Sequence, residues 1–392
     1  MTCNWPLVQA SEFVEFNPKI SLKKEEIAPK ISMEDLTPFT KNIGSYSYAP
    51  YRGGSKFING DILFARITPC LENGKTAYVD CLNEGEVGFG STEFIVLRAI
   101  KQVSDPNFVY YLSISPQFRS LAIKSMVGSS GRQRVQLNAL ANYSFRLPPL
   151  SDQKKIANYL SSLDKKIFLN QQINDNLKEQ ARAIYYERFE KIDFNRRSFN
   201  WQLKTLGDIA VISTKSLNPA KESEALLEHY SIPAFDETGF PVFEKSSSIK
   251  SNKYLVDEFC LLISKLNPTI KRIWRPYCLS NKAVCSTEFI VFKAKNKDLT
   301  DFLYSVIDSK SFFDFMCSHV TGSTGSRQRT TPAETLGFEF LFPSSEEIQN
   351  FQELVAPMYK QMKINAIENA KLKQIRDNLL PKLLAGETNT SL

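Results

Sequence analysis

The sequence contains an internal repeat, and this repeat limits the possible folds more than any other feature of the chain. Ser-Thr-Glu-Phe-Ile-Val occurs at residues 91–96 and again at 286–291, and Arg-Gln-Arg occurs at 132–134 and again at 327–329, both 195 residues apart. Three further matches keep this order: Trp5-Pro-Leu7 with Trp201-Gln-Leu203, residues 64–69 with 263–268, and 145–148 with 340–343. Five ordered matches predict one unit of about 195 residues used twice in a chain of 392.

Each copy divides into a globular part and a helical tail. Residues 1–150 and 199–343 carry short β-branched and aromatic runs that are separated by Gly, Pro, Asn and Ser, which predicts α+β domains. Residues 151–190 and 344–386 follow prolines and carry apolar or small polar residues at alternating steps of four and three, the seam of a coiled coil. The two tails either pair with each other and hold the domains apart, or pack singly on their own domains.

The predicted seam has the same pattern in both tails. Its residues are Ile156, Leu160, Leu163, Ile167, Asn170, Asn174 and Leu177 in the first tail and Phe351, Val355, Met358, Met362, Asn365, Asn369 and Leu372 in the second. Each seam contains two Asn at equivalent positions, and a seam Asn lowers stability but fixes register and partner.

Composition excludes several classes of protein. With 42% apolar residues, each domain can bury a core, and the absence of an 18-residue apolar run predicts no membrane span. The seven Cys are scattered, without a C-x-x-C pair, and the N-terminus does not resemble a secretory signal. We therefore expect a cytoplasmic protein with reduced thiols and no metal site.

The net charge of +7 is small, but the basic residues are unevenly spread. No acidic residue lies between Asp105 and Asp152 or between Glu258 and Glu288, and each of these windows contains five Lys or Arg residues. Such windows are either solvated faces or faces that bind nucleic acid, and their presence in both copies favours DNA binding.

Several sequence segments together resemble the specificity (S) subunit of type I restriction–modification systems. They are GDILFARITPCLENGK at residues 60–75, STEF at 91–94, LPPLSDQ at 147–153 and LLPKLLAGE at 379–387. The resemblance implies two target-recognition domains, each reading one half of a bipartite, asymmetric DNA target. It also implies that the two long helices form an antiparallel coiled coil that sets the distance between the half-sites.

The resemblance implies partners and places catalysis outside this chain. The partners would be double-stranded DNA, two modification (M) subunits that carry the methyltransferase chemistry, and restriction (R) subunits; no membrane is involved. The sequence has no [D/N]-P-P-[Y/F] loop and no phosphate-binding G-x-x-x-x-G-K-[ST] motif, so we expect no enzymatic activity and no cofactor. The alternatives are a free-standing sequence-specific DNA-binding regulator with two recognition domains and a self-contained modification enzyme.

Candidate DNA-binding residues follow from comparing the two copies. Segments that repeat can contact phosphates, which are the same everywhere, whereas base-reading residues should differ between copies. The candidates are Tyr48, Tyr51, Arg52, Arg66, Lys75, Arg132 and Arg134 in the first copy and Lys265, Lys271, Arg272, Arg275, Arg327 and Arg329 in the second. The Arg-Gln-Arg segments are candidate phosphate clamps or structural turns, and the unmatched segments 46–54 and 269–275 are candidate base readers. For the repeated Glu93 and Glu288 we predict internal salt bridges.

Overall fold

The computed structural model describes residues 4–191, 201–222, 224–321 and 328–387. It divides the chain into two compact units, each made of short helices, parts of two long helices and several sheets, of which the described residues form three in the first unit and four in the second. Unit 1 comprises Met1–Phe168 with Lys371–Leu392, and unit 2 comprises Leu169–Ala370. The unit boundaries therefore fall inside the two long helices and not at their ends.

Unit 1 contains the first globular part. Its strands are β1 (Leu7–Gln9), β2 (Val14–Phe16), β3 (Ile27–Ile31), β4 (Ser47–Pro50), β5 (Ser55–Phe57), β6 (Ile62–Ala65), β7 (Thr76–Tyr78), β8 (Gly88–Gly90), β9 (Phe94–Ala99) and β10 (Ser144–Arg146). Its helices are α1 (Pro106–Ile114), α2 (Pro116–Lys124) and α3 (Leu137–Ala141), followed by α4 (Leu150–Tyr185), which continues into unit 2. The sheets have the strand orders β2-β9-β6-β7, β4-β3-β8-β5 and β1-β10.

Unit 2 repeats this topology. Its strands are β11 (Gln202–Thr205), β12 (Ala210–Ile212), β13 (Ser216–Leu217), β14 (Leu226–Tyr230), β15 (Val242–Lys245), β16 (Lys253–Leu255), β17 (Cys260–Ser264), β18 (Ile273–Trp274), β19 (Ala283–Ser286), β20 (Phe289–Ala294), β21 (Val320–Thr321), β22 (Arg329–Thr330) and β23 (Glu339–Phe342). Its helices are α5 (Leu206–Ile209), α6 (Ile232–Thr238), α7 (Thr300–Ile307), α8 (Lys310–Ser318), α9 (Pro332–Thr335) and the long α10 (Ser345–Leu384).

The repeat is visible in the sheets. The order β12-β20-β17-β18 in unit 2 corresponds to β2-β9-β6-β7 in unit 1, and β11-β23 corresponds to β1-β10. Each unit also has one parallel strand pair, β3 with β8 and β14 with β19, in an otherwise antiparallel sheet. The predicted α+β class with two long helices is therefore confirmed.

Both long helices contribute to the core of each unit. In unit 1, Ile156 and Leu160 of α4 and Leu380 and Leu383 of α10 lie in one apolar cluster with the sheet β2-β9-β6-β7. In unit 2, a second cluster contains the last turns of α4 and the first turns of α10, packed on α7. Each helix end thus packs on a globular part and on the other helix.

The predicted seam residues face inward: none of the fourteen is exposed. In unit 2, Asn170 Nδ2 donates to Asn369 Oδ1 at 2.9 Å and Asn365 Nδ2 donates to Asn174 Oδ1 at 2.8 Å. Asn174 follows Asn170 along α4, but its partner Asn365 precedes Asn369 along α10, so the two helices are antiparallel there. Each pair gives the Nδ2 group of one seam Asn an acceptor on the other helix, and so favours this register.

No helix among the described residues has a stretch that is both long and apolar enough to cross a bilayer.

Candidate nucleic-acid interface

The repeated Glu and Arg residues of unit 1 form an ion pair. Glu93 lies just before β9, and its carboxylate accepts from Arg134 Nη2 at 2.6 Å and from Arg134 Nε at 3.0 Å. This hydrogen bond raises the pKa of the Arg134 guanidinium. The fork geometry fixes the direction of the Arg134 side chain.

The same ion pair occurs in unit 2. Arg329 Nε donates to Glu288 Oε2 at 3.0 Å, and Arg329 Nη2 donates to Glu288 Oε1 at 3.2 Å. The predicted internal salt bridges of Glu93 and Glu288 are thus present, and their partners are the second Arg of each Arg-Gln-Arg segment. Arg132, the first Arg of the segment in unit 1, is exposed, whereas Arg327 lies outside the described residues.

Arg66 and Lys265 lie at equivalent positions, one residue beyond β6 and β17. Both side chains are half-buried. Arg66 Nε is buried and makes no hydrogen bond within the described part of the chain. Lys75, which has no counterpart in the second copy, donates from Nζ to the carbonyl oxygen of Met33 at 2.7 Å and so holds a loop in place.

The candidate base-reading segment of unit 1 lies on the surface. Tyr48 is 53% exposed, and its hydroxyl donates to Glu86 at 3.0 Å, a hydrogen bond that raises the pKa of Tyr48 to about 12. Arg52 makes one contact of 3.3 Å with Glu25, and both side chains are mostly exposed. Tyr51 packs edge-on against Phe89, with ring centroids 5.3 Å apart. The exposed ion pair between Arg52 and Glu25 is weak, so Arg52 can exchange it for a contact with DNA.

In the candidate base-reading segment of unit 2, the three basic side chains form ion pairs within the protein. These pairs are Lys271 with Asp308, at 3.1 Å, Arg272 with Asp236, at 2.6 Å, and Arg275 with Asp301, at 2.5 Å. Arg272 is only 8% exposed, and burial lowers the pKa of Lys271. In this structure, the three cations hold their segment to the rest of unit 2, and their charges are compensated within the protein.

Unit 1 also contains a buried ion pair that the sequence pattern did not reveal. Arg376 Nη1 donates to Asp164 Oδ1 at 2.7 Å, and the Tyr111 hydroxyl donates to Asp164 Oδ2 at 2.6 Å. Asp164 directly follows the seam residue Leu163, where a carboxylate would be expected to face solvent. The signal that could have identified it is the basic residue Arg376, which lies four residues after Leu372 and so continues the seam of the other helix.

The family model described as "Type I restriction modification DNA specificity domain" matches residues 4–179. The EcoEI and EcoAI specificity subunits of Escherichia coli are 32% identical over 165 and 159 residues, which is 41% and 39% of this chain. These alignments span only 27% and 26% of the two relatives.

Two other proteins match over most of the chain. The HindI specificity subunit of Haemophilus influenzae is 22% identical over 405 residues, covering 84% of this chain and 86% of the relative. The crystal structure of a type I restriction–modification S subunit from M. genitalium is similar in fold, with a TM-score of 0.56 and 16% identity over 97% of this chain and 96% of that chain. Together with the family match, these findings confirm the resemblance inferred from sequence.

Proposed function

Residues 4–179 belong to the type I restriction modification DNA specificity domain family, and from this premise we propose that the chain is the non-catalytic DNA-recognition subunit of a type I restriction–modification complex. The observation that carries the proposal is the recurrence of the same sheet topology in unit 2, with the same Glu–Arg ion pair at the same strand end. Two units of one topology with different surface segments suit a bipartite, asymmetric target.

Recognition is divided between the units in this proposal. Each unit reads one half-site, through side chains that differ between the copies, and holds the DNA backbone through side chains that the copies share. In unit 1, Tyr48, Tyr51 and Arg52 remain the candidate base readers, because Tyr48 and Arg52 are exposed and weakly paired and Tyr51, which is half-buried, lies between them. In unit 2, the ion-paired state of Arg272 argues for a role in positioning the segment, with base readers elsewhere.

The long helices are proposed to set the spacer between the half-sites. Helix α4 has 36 residues and α10 has 40, so each is about 55–60 Å long at about 1.5 Å per residue. Four residues inserted into both helices in register would lengthen them by about 6 Å, or close to two base pairs. A spacer that stays unchanged after this insertion would contradict the ruler.

Partner subunits are proposed to bind the helices. Leu169 and Ile173 of α4 and Leu354 and Ile364 of α10 are each 43–47% exposed, although they lie on helices whose seam is already filled. Exposed apolar side chains of this kind suit a protein partner. We assign the methyltransferase chemistry to two M subunits and translocation and cleavage to R subunits, all in the cytoplasm.

Co-expression with the M subunit of a type I system tests the proposal. Mapping of methylated bases should reveal one motif made of two short half-sites with a fixed gap, and omission of this chain should abolish it. A methylated motif that persists without the chain would refute the assigned role. The free-standing regulator predicts specific DNA binding by the chain alone that M subunits do not strengthen, and a self-contained enzyme predicts binding of S-adenosylmethionine by the purified chain.

A further inference from the structure

A junction of three chain segments, present in both units, combines two cations with one carboxylate. In unit 1 the β6–β9 pairing continues one residue beyond Ala65, where Arg66 N donates to the Glu93 carbonyl oxygen at 2.9 Å. In unit 2, Lys265 N donates to the Glu288 carbonyl oxygen at 3.0 Å. Arg66 and Lys265 are therefore equivalent in backbone position although their side chains differ.

The third segment is the one that carries the Arg-Gln-Arg motif. In unit 1, Val135 N donates to the Arg66 carbonyl oxygen at 2.8 Å and Thr68 N donates to the Gln133 carbonyl oxygen at 3.0 Å. The equivalent bonds in unit 2 are 3.1 Å and 2.9 Å long, between residues 330 and 265 and between residues 267 and 328. We call these two sites the cation junctions. The one in unit 1 comprises residues 66–68, 93 and 133–135, and the one in unit 2 comprises residues 265–267, 288 and 328–330.

The charges within each cation junction do not balance. The carboxylate of Glu93 binds Arg134, and the carboxylate of Glu288 binds Arg329. Within the described part of the chain, Arg66 and Lys265 have no acidic partner. Each junction therefore carries one excess positive charge at the same place in the fold, and a partly desolvated cation of this kind is stabilised by an anion.

The nature of the anion follows from comparing the two junctions. Arg offers a planar fork that can read guanine, whereas Lys offers a point charge, so the two side chains do not present the same pattern to a base edge. What they share is a positive charge at a fixed position. A group that is the same in both half-sites and needs only a positive charge is a backbone phosphate.

We propose that Arg66 and Lys265 are equivalent phosphate-contacting residues and that Arg134 and Arg329 are positioning residues, held by Glu93 and Glu288. The inference rests on the proposed function, because it requires that the chain bind double-stranded DNA. It divides the basic residues of the repeated segments into two groups. One group touches DNA, and the other is neutralised by a carboxylate of the protein and orients the loop.

The test uses the chain in complex with its M subunits and two fluorescein-labelled duplexes. One duplex carries the target found by methylation mapping, and the other has one half-site scrambled. Binding is measured as a function of salt for the wild type, Arg66→Gln, Lys265→Gln and Arg134→Gln. Lys310→Gln is the matched control, because it removes the same charge from an exposed i,i+4 pair with Asp314.

Arg66→Gln and Lys265→Gln should each lower the slope of log affinity against log salt by about 0.9 and weaken both duplexes by the same factor. Arg66→Lys and Lys265→Arg should restore the wild-type slope. Arg134→Gln should weaken binding while leaving the slope unchanged, because no phosphate contact is removed. Lys310→Gln should match the wild type in affinity and slope.

An unchanged salt slope in Arg66→Gln and Lys265→Gln would overturn the inference, as would selective loss of binding to the target duplex. Either result leaves the proposed function intact as long as the wild type prefers the target. If the wild-type complex binds both duplexes equally, or if mapping finds no target, the proposed function itself fails.

Discussion

The buried ion pair between Asp164 and Arg376 gives the sharpest prediction for stability. Their side chains are 8% and 9% exposed, and Asp164 also accepts a hydrogen bond from Tyr111. Arg376→Met leaves the carboxylate buried with the Tyr111 hydroxyl as its remaining hydrogen-bond donor in the described chain. Loss of one partner of a buried pair costs about 3–5 kcal/mol. We expect the free energy of unfolding of unit 1 to fall by an amount near the lower limit, because Lys41 and Lys373 are close enough to feel the Asp164 charge.

The double variant Asp164→Asn with Arg376→Met tests the cause of this loss. Asn still accepts from Tyr111 but carries no charge, so the double variant should recover at least about 2 kcal/mol relative to Arg376→Met. Urea unfolding followed by circular dichroism, with hydrogen exchange of residues 371–384, measures both changes. Lys310→Gln, which breaks an exposed ion pair, is the control and should change stability by less than about 1 kcal/mol. Equal destabilisation of the single and double variants would refute the reasoning.

Three further changes test other parts of the structure. Burial lowers the pKa of His229, and the hydrogen bond with Glu244 offsets this only in part. The unfolded chain therefore binds the proton more readily, so the free energy of unfolding falls as the pH drops below about 6.5. His229→Gln should reduce that loss, as measured by urea titrations at several pH values. In Gly90→Ala, the new Cβ would lie 2.0 Å from the Ile31 carbonyl oxygen, so urea unfolding should show a loss of about 3 kcal/mol or more. Asn174→Leu removes the acceptor of a seam amide and should cost about 1–3 kcal/mol in the same assay, and replacing its α10 partner by Leu as well should recover part of that loss.

The helices and their seam could be predicted because the signal is local. Apolar residues that recur at steps of four and three define one face of a helix from sequence alone. The structure begins α10 at Ser345 and α4 at Leu150, within one residue of the predicted starts at 344 and 151. The repeat likewise predicted that unit 2 has the topology of unit 1.

Charge compensation could not be predicted because it depends on residues distant in sequence. The window from Glu258 to Glu288 contains no acidic residue. In the fold, however, Asp308, Asp236 and Asp301, which lie outside this window in the sequence, form ion pairs with three of its five cations. An acid-free stretch of sequence is therefore not the same as an acid-free surface.

The Glu93–Arg134 ion pair, in contrast, could be predicted in part from the sequence. Its two residues are 41 positions apart, yet both belong to segments that repeat in the second copy. Repetition predicted an internal salt bridge for Glu93 and left the Arg-Gln-Arg segment as either a phosphate clamp or a structural turn. Which Arg of the motif would bind the Glu could not be predicted, because that depends on how the third segment of the cation junction runs.

A domain exchange tests most directly the claim that each unit reads one half of the target. Residues 1–147 are replaced by the corresponding part of a relative with a different target, and methylated bases are mapped after co-expression with the M subunits. The account predicts a new motif in which one half-site comes from the relative, while the other half-site and the spacer length stay unchanged. A chimera that alters both half-sites, or that keeps the original motif, would contradict it.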